Sequence, residues 1–376
     1  MQKWIDSTFD KIVDKFRVST AKAKEQGLIP YRSEGKEWIG SPFDGNSWWT
    51  GGFWPGAMWL LHNATKEECF LKEALRVEKL LVHELMEFTH LNHDVGFMYM
   101  LSCGAHYRFT GDSEAHRNTM HAATILAGRF NPNGYIRAWD KDRAGWAIID
   151  CMMNLSLLYW ASAEENDPRF EQIARIHADT SMRTFVREDG SCNHIVIFDP
   201  SNGEVLDCPG GQGYAAGSSW SRGQAWALYG FALSYMHTGD KRYLETAERI
   251  ANYFIANIRP DGLTDSDFCQ PKDEERIDNI AGACAASGLL DLSDLTEDTV
   301  LKESYRDAAI KLLQGIDAHC ADWTEETLGI MQKCTASYHN DGAGRHINIL
   351  YGDYFFVEAI CKLRGADAKL WSPMSK

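Results

Sequence analysis

The chain reads as an all-α protein, an (α/α)6 barrel of six helical hairpins with inner and outer helix rings, in a single domain over residues 1–376. Three observations carry that reading. Apolar segments alternate with half-polar ones along the chain, each at helical spacing. The connections are short and rich in turn residues, as in Thr110-Gly111-Asp112, Glu165-Asn166-Asp167 and Thr238-Gly239-Asp240. The one strand-like interruption is His194-Ile195-Val196-Ile197-Phe198, with Asp199-Pro200-Ser201-Asn202-Gly203 as its turn.

In order, residues 2–26 place Trp4, Ile5, Phe9, Ile12, Val13 and Phe16 on one face of a helix. A loop with Pro30, Gly35 and Gly40 leads to an apolar helix over 54–62. Thr65-Lys66-Glu67-Glu68 has the form of a capping box opening a charged helix over 65–86. The alternation repeats with an apolar helix over 96–109 and an amphipathic one over 113–130. Residues 146–160 are nearly all apolar and read as a buried helix, and Pro168, at a helix-start position, opens a polar-faced one to 186. Helices over 220–236 and 241–258, then 277–292 and 297–319, follow the same rule, and 352–363 completes twelve. Hairpins that leave one face uncovered must stack on neighbours to bury it. An open solenoid is the alternative, but it would expose apolar ends.

Composition narrows the function. A net charge of −15 speaks against nucleic acid, whose recognition rests on basic patches. It leaves room for a small anionic substrate, which needs only a local positive pocket. No apolar run reaches the length of a membrane span, and the charged amphipathic start is unlike a signal peptide. The ten cysteines form no C-x-x-C and have no histidine partners at metal spacing, so we expect a reduced cytoplasmic protein without metal or cofactor. Monomer and homodimer are both open.

In such a barrel the inner helices run the same way, so their N-terminal ends meet at one mouth. At or before those ends stand Trp49, His93, Asp94, Asp150, Ser219 to Arg222, Asp278 and Asp353. An aspartate there is either a helix cap or an acid held in a dry place. Two carboxylates on adjacent inner helices, Asp94 and Asp150, cannot comfortably ionise together, which leaves one protonated as a general acid. Trp48, Trp49, Trp139, Trp220 and Trp226 offer faces for stacking sugar rings, while Trp54 reads as core. Gly210-Gly211-Gln212-Gly213-Tyr214 lacks the Lys-Ser/Thr of a phosphate loop. Arg222 reads as an anion anchor, with a solvated arginine as its alternative.

These segments resemble the unsaturated glucuronyl hydrolases of glycoside hydrolase family 88 over essentially the full length. The resemblance is carried by Trp49-Thr50-Gly51-Gly52-Phe53-Trp54, His93-Asp94-Val95-Gly96-Phe97, Ala138-Trp139, Ile148-Ile149-Asp150-Cys151, Phe198-Asp199-Pro200, Ser219-Trp220-Ser221-Arg222-Gly223-Gln224-Ala225-Trp226 and Gly352-Asp353-Tyr354. It implies the same barrel and a substrate class, oligosaccharides (disaccharides among them) ending in a 4,5-unsaturated uronic acid. It also implies hydration of the enol ether rather than attack at the anomeric carbon. The position of Asp150 is then that of the acid that protonates the double bond and helps activate water for C5, and Asp94 matches the second carboxylate. Trp49, His93, Trp139, His194, Gln212, Trp220, Arg222 and Trp226 match sugar-lining positions, and Tyr338 and His339 a segment near the aglycone. Gly51 and Arg137 depart from the family's usual Asp/Asn and Gln, which bears on substrate preference. Asn340 to Arg345 replaces a Ser- and Lys-containing segment of members favouring sulfated sugars, which implies unsulfated or differently substituted ones unless Arg345 substitutes. The rivals are an unsaturated rhamnogalacturonyl hydrolase acting on pectin fragments, a sugar 2-epimerase using histidines on the same barrel, and a non-catalytic binding toroid.

Overall fold

The computed structural model describes residues 1–42, 45–140 and 142–374. Among them twelve helices follow one another: α1 (Gln2–Gln26), α2 (Phe53–Thr65), α3 (Glu68–Glu87), α4 (95–110), α5 (Ser113–Ala127), α6 (Cys151–Glu165), α7 (Pro168–Thr184), α8 (Ser221–Thr238), α9 (Lys241–Ala256), α10 (Asn279–Leu295), α11 (Thr299–His319) and α12 (Leu350–Leu363). A π-helical stretch at Met100–Gly104 interrupts α4 without ending it.

Burial sorts these helices into two rings. In α8 every residue from Ser221 to Ser234 is buried, whereas α9 buries only one stripe, Tyr243, Thr246, Ala247, Ile250, Ala251 and Phe254. That is the difference between a helix with neighbours on all sides and one facing water. The inner helices pack in sequence, α2 on α4, α4 on α6, α6 on α8, α8 on α10 and α10 on α12, and α12 closes on α2. Closure removes the exposed ends that an open solenoid would carry. Close approach explains two glycines: a Cβ on Gly230 would lie 2.5 Å from the Cβ of Met152, and one on Gly96 2.4 Å from Asn154 Oδ1. Phe53, Phe97, Trp226, Tyr354 and Phe355 fill the middle with no exposed surface.

Three local expectations fail. Trp146–Ile148 is a strand, not the first turn of a helix, and it pairs antiparallel with Ile195–Phe198, Ala147 opposite Val196. Periodicity cannot separate a short buried strand from a buried helix in an unbroken apolar run. The strand ends two residues before α6, so Asp150 stands at a strand-to-helix junction. Strands are also more numerous than the single one expected, with further short pairs at Arg32–Glu34/Glu37–Ile39 and Phe130–Asn131/Tyr135–Ile136, and Val205–Asp207 beside Ile195–Phe198. The capping box at Thr65 does not form. The Thr65 hydroxyl donates to the Leu61 carbonyl (2.8 Å) inside α2, Lys66 turns the chain at φ 62°, and the cap of α3 is Glu67 without a side-chain bond.

Candidate active site

Asp94 and Asp150 immediately precede α4 and α6 at the mouth. Elsewhere the chain uses aspartate as an ordinary cap: Asp112, Asp167, Asp240, Asp278 and Asp298 each accept an N–H from the first turn of their helix. Asp94 and Asp150 accept none. A capping residue needs an extended backbone to swing its carboxylate over the helix end. Asp150 is already helical (φ −54°, ψ −29°), so its side chain is directed elsewhere. Its Oδ1 is buried and has no hydrogen-bond partner. Asp353, by contrast, is occupied in holding a loop, accepting from the N–H groups of Ile330 (3.0 Å) and Met331 (2.8 Å).

Burial pushes the Asp150 carboxyl up to about 7, against the pull of the Arg222 charge. Burial and then the charge of Asp150 push Asp94 up to about 8, against Arg129 and the amides of Asn154 and Asn92. Burial is the largest cause at both carboxyls, and the charge of Asp150 adds to the rise at Asp94.

Each carboxyl faces a histidine. His93 Nε2 lies 3.5 Å from Asp94 Oδ1, and His194 Nε2 lies 3.7 Å from Asp150 Oδ1. Burial drives both imidazoles toward neutrality, His93 well below its ordinary range with help from Arg129, and His194 to about 3 with help from Arg222. The His194 ring leans on Trp220, with centroids 4.3 Å apart.

Arg222 is 1% exposed. It is paired with Asp278 and donates to the carbonyls of Thr335 (2.9 Å) and Ala336 (2.7 Å). Its guanidinium lies over Trp220 (4.5 Å) and Tyr351 (5.6 Å). Gln212 Nε2 donates to the same Ala336 carbonyl at 2.7 Å. Trp49 stands 4.9 Å from Tyr351 and 5.6 Å from Phe97. Beside it opens a cavity of about 320 Å³, lined by Ser47, Trp48, Trp49, His90, Asn92, Trp139 and Asp140.

Paired raised carboxyls in an aromatic mouth on a closed helical barrel describe a sugar-processing site, and the sequence comparisons agree. The model of Glycosyl Hydrolase Family 88 matches residues 12–341. The chain belongs to this family. It is 35% identical over 336 residues to an unsaturated glucuronyl hydrolase of Bacillus sp. (strain GL1), covering 87% of this chain and 89% of the relative. It is 31% identical over 370 residues to an unsaturated chondroitin disaccharide hydrolase of Streptococcus pneumoniae, covering 95% and 91%. Its fold matches the crystal structure of the unsaturated glucuronyl hydrolase from Bacillus sp. GL1 with a TM-score of 0.91 at 30% identity, over 98% of this chain and 100% of that one.

In this family 88 glycosidase the residues singled out from sequence fall into three groups. Asp94, Asp150, His93, His194, Gln212, Trp220 and Arg222 meet at the mouth, and Trp49 and Trp139 line the cavity beside it. Tyr338 and His339 join through the glycine-rich loop: the Tyr338 N–H donates to the Gln212 carbonyl (2.9 Å), and His339 Nε2 lies 3.0 Å from the Tyr214 carbonyl. Trp226 and Arg137 stand apart. Trp226 is wholly buried in the barrel core, 5.3 Å from Phe97. Arg137 is half-buried and pairs with Asp140 at 3.3 Å. Arg345 donates to the Glu275 carbonyl (2.7 Å) and lies 3.8 Å from Asp341.

Two functional neighbours escaped the sequence reading. Asn154, one turn beyond Asp150, accepts the Phe97 N–H at 2.7 Å and so ties α6 to the start of α4. An amide inside an otherwise apolar helix was its only signal. Arg129 donates to the carbonyls of Arg137 (2.9 Å) and Ala138 (3.0 Å) and pairs with Asp140 (3.1 Å), behind His93 and Asp94. No motif marks it.

Proposed function

We propose that this chain releases the 4,5-unsaturated uronic acid from the non-reducing end of lyase-generated oligosaccharides, of the glycosaminoglycan or a related type, with Asp150 as general acid and base. The observation that carries the reading is the Asp150 carboxyl, buried, with an oxygen that no hydrogen bond engages, free of any helix end and raised to about 7. An enol ether needs just such a donor. A proton delivered to C4 leaves positive charge at C5 that the ring oxygen shares, water adds there, and the resulting hemiketal opens to free the rest of the chain. Asp94 sits as the second carboxyl, and the neutral imidazoles of His93 and His194 are hydrogen-bonding groups rather than competing bases.

Trp49 and Trp139 offer ring faces beside the reacting sugar, and Arg222 supplies positive potential for the uronate in a protein whose net charge is −15. With Arg345 already engaged by Glu275 and Asp341, the late loop offers little to a sulfate, which favours unsulfated sugars. We read residues 1–376 as one domain. The described residues contain no helix long and apolar enough to cross a membrane. The ten unpaired cysteines favour a reducing, cytoplasmic setting. The test is loss of the near-ultraviolet enol-ether absorbance across a panel of lyase-generated disaccharides, beside their saturated counterparts. Turnover confined to the unsaturated sugars is expected. Comparable rates on a saturated aryl glucuronide and its unsaturated analogue would end the hydration reading.

A further inference from the structure

The glycine-rich loop read from sequence as a poor phosphate loop packs against His194. Gly211 adopts φ +60°, and a Cβ built there would stand 2.1 Å from His194 Nδ1 and 2.7 Å from Cε1. The next residue turns its backbone inward, so that the Gln212 N–H donates to His194 Nδ1 at 3.0 Å. An amide N–H can only donate, and a neutral imidazole has one donor and one acceptor nitrogen. Nδ1 is therefore the acceptor and the ring proton is on Nε2, the nitrogen that faces Asp150 Oδ1 at 3.7 Å. The Gly210 carbonyl also lies near the ring and favours a proton there. A carbonyl oxygen has a second lone pair, so the Gly213 N–H it accepts at 3.0 Å does not decide the matter; what decides it is that a proton on Nδ1 would meet the Gln212 N–H head-on.

We propose that Gly211 is a positioning residue: its left-handed, side-chain-free backbone lets the Gln212 amide fix His194 as the Nε2–H tautomer, so that the imidazole presents a donor to Asp150 and has no lone pair free to take its proton. The inference rests on the reading of Asp150 as the acid. In the resting enzyme burial holds the proton on Asp150, and the neighbouring ring offers no second acceptor for it. Once the proton has passed to the substrate, the Nε2–H is the group poised to close on the new carboxylate, and His194 stays neutral throughout. The same loop reaches the aglycone side through the contacts of Gln212 and Tyr214 with Tyr338 and His339.

Gly217 supplies an internal control. It lies in the same loop at φ +77°, and a Cβ there meets nothing within 4 Å. Gly217→Ala therefore imposes the backbone strain without the collision. Imidazole nitrogen resonances of uniformly ¹⁵N-labelled enzyme, with His194 assigned by its loss in His194→Gln, report the tautomer directly. We expect the wild type and Gly217→Ala to show His194 with its proton on Nε2. Gly211→Ala should shift those resonances and lower kcat by about 10²-fold, the cost of misplacing a catalytic contact by about 1 Å, with a smaller change in KM. A wild-type His194 protonated on Nδ1 overturns the proposal, as does a Gly211→Ala enzyme matching Gly217→Ala in both spectrum and kcat. Should Gly211→Ala not fold, the wild-type spectrum alone decides the tautomer. An active Asp150→Asn enzyme whose His194 remains the Nε2–H form would instead remove the acid and leave the tautomer standing.

Discussion

Replacing Asp150 by asparagine separates a cap from an acid, because the two roles move stability and rate in different directions. At about 1.4 kcal/mol per pH unit, the rise from 3.8 to about 7 makes the ionised carboxyl roughly 4 kcal/mol more costly in the fold than in the unfolded chain. The folded-state value is raised, so this group's stabilising contribution is fully present below about 4 and is lost as pH rises through about 7. Asparagine cannot ionise and does not incur that cost, and no helix-capping bond exists to be broken. Asp150→Asn should therefore melt at the same temperature as wild type near pH 4 and higher than wild type at pH 8. Its kcat, followed by enol-ether absorbance, should fall by about 10²–10⁴, the usual contribution of a positioned acid/base group. A folded Asp150→Asn enzyme with near-normal turnover would refute the assignment. A variant with lowered Tm at pH 8 would refute the account of its electrostatics.

Asp94→Asn should cut activity but leave the alkaline limb of the pH profile near 7, because burial is what raises Asp150; a limb displaced by a full unit would show that a charge on Asp94 sets it instead. Arg222→Ala should cost about 3–5 kcal/mol by stranding buried Asp278, whereas Arg222→Lys keeps the charge but loses the planar fork and should raise KM; unchanged KM and Tm in both would take Arg222 out of the site. Among the described residues no group of three His, Cys, Asp or Glu side chains is placed to hold a metal ion, so activity should survive exhaustive chelation, and a loss restored by one divalent ion would contradict this.

The barrel was legible because twelve long segments repeat one contrast, and a 3.6-residue period survives in a single sequence when it extends over three or more turns. Trp146-Ala147-Ile148 was misread for the same reason in reverse. Three apolar residues joined to a buried helix carry no period, and only the pairing with Ile195 to Phe198, nearly fifty positions away, makes them a strand. The aspartates at the mouth were legible by position, but which of them are caps was not. Asp278 and Asp150 look alike in sequence. One caps its helix and pairs with Arg222, while the other has helical torsions and an unpartnered oxygen. That distinction lives in φ and ψ. Arg222 was read as an anion anchor; in the fold it is buried, fixed by Asp278 and by two carbonyls more than a hundred residues along the chain.

At the level of sequence, hydration and histidine-driven isomerisation are rival readings of one barrel. The structure gives a physical reason to prefer the first. An acid/base histidine must exchange a proton near the working pH, which requires an imidazole value near 7 and a lone pair free to receive. His194 has neither, since burial and Arg222 hold it at about 3 and the Gln212 amide occupies Nδ1. His93 is likewise driven well below its ordinary range by burial and Arg129. The protons that a reaction at this mouth can use near neutral pH are therefore on the carboxyls, about 7 at Asp150 and about 8 at Asp94. A carboxylic acid in an apolar wall suits one early step, protonation of an electron-rich double bond. In the mechanism we propose, the carboxylate left by that step, with a neutral N–H donor opposite it, is the base for the water molecule.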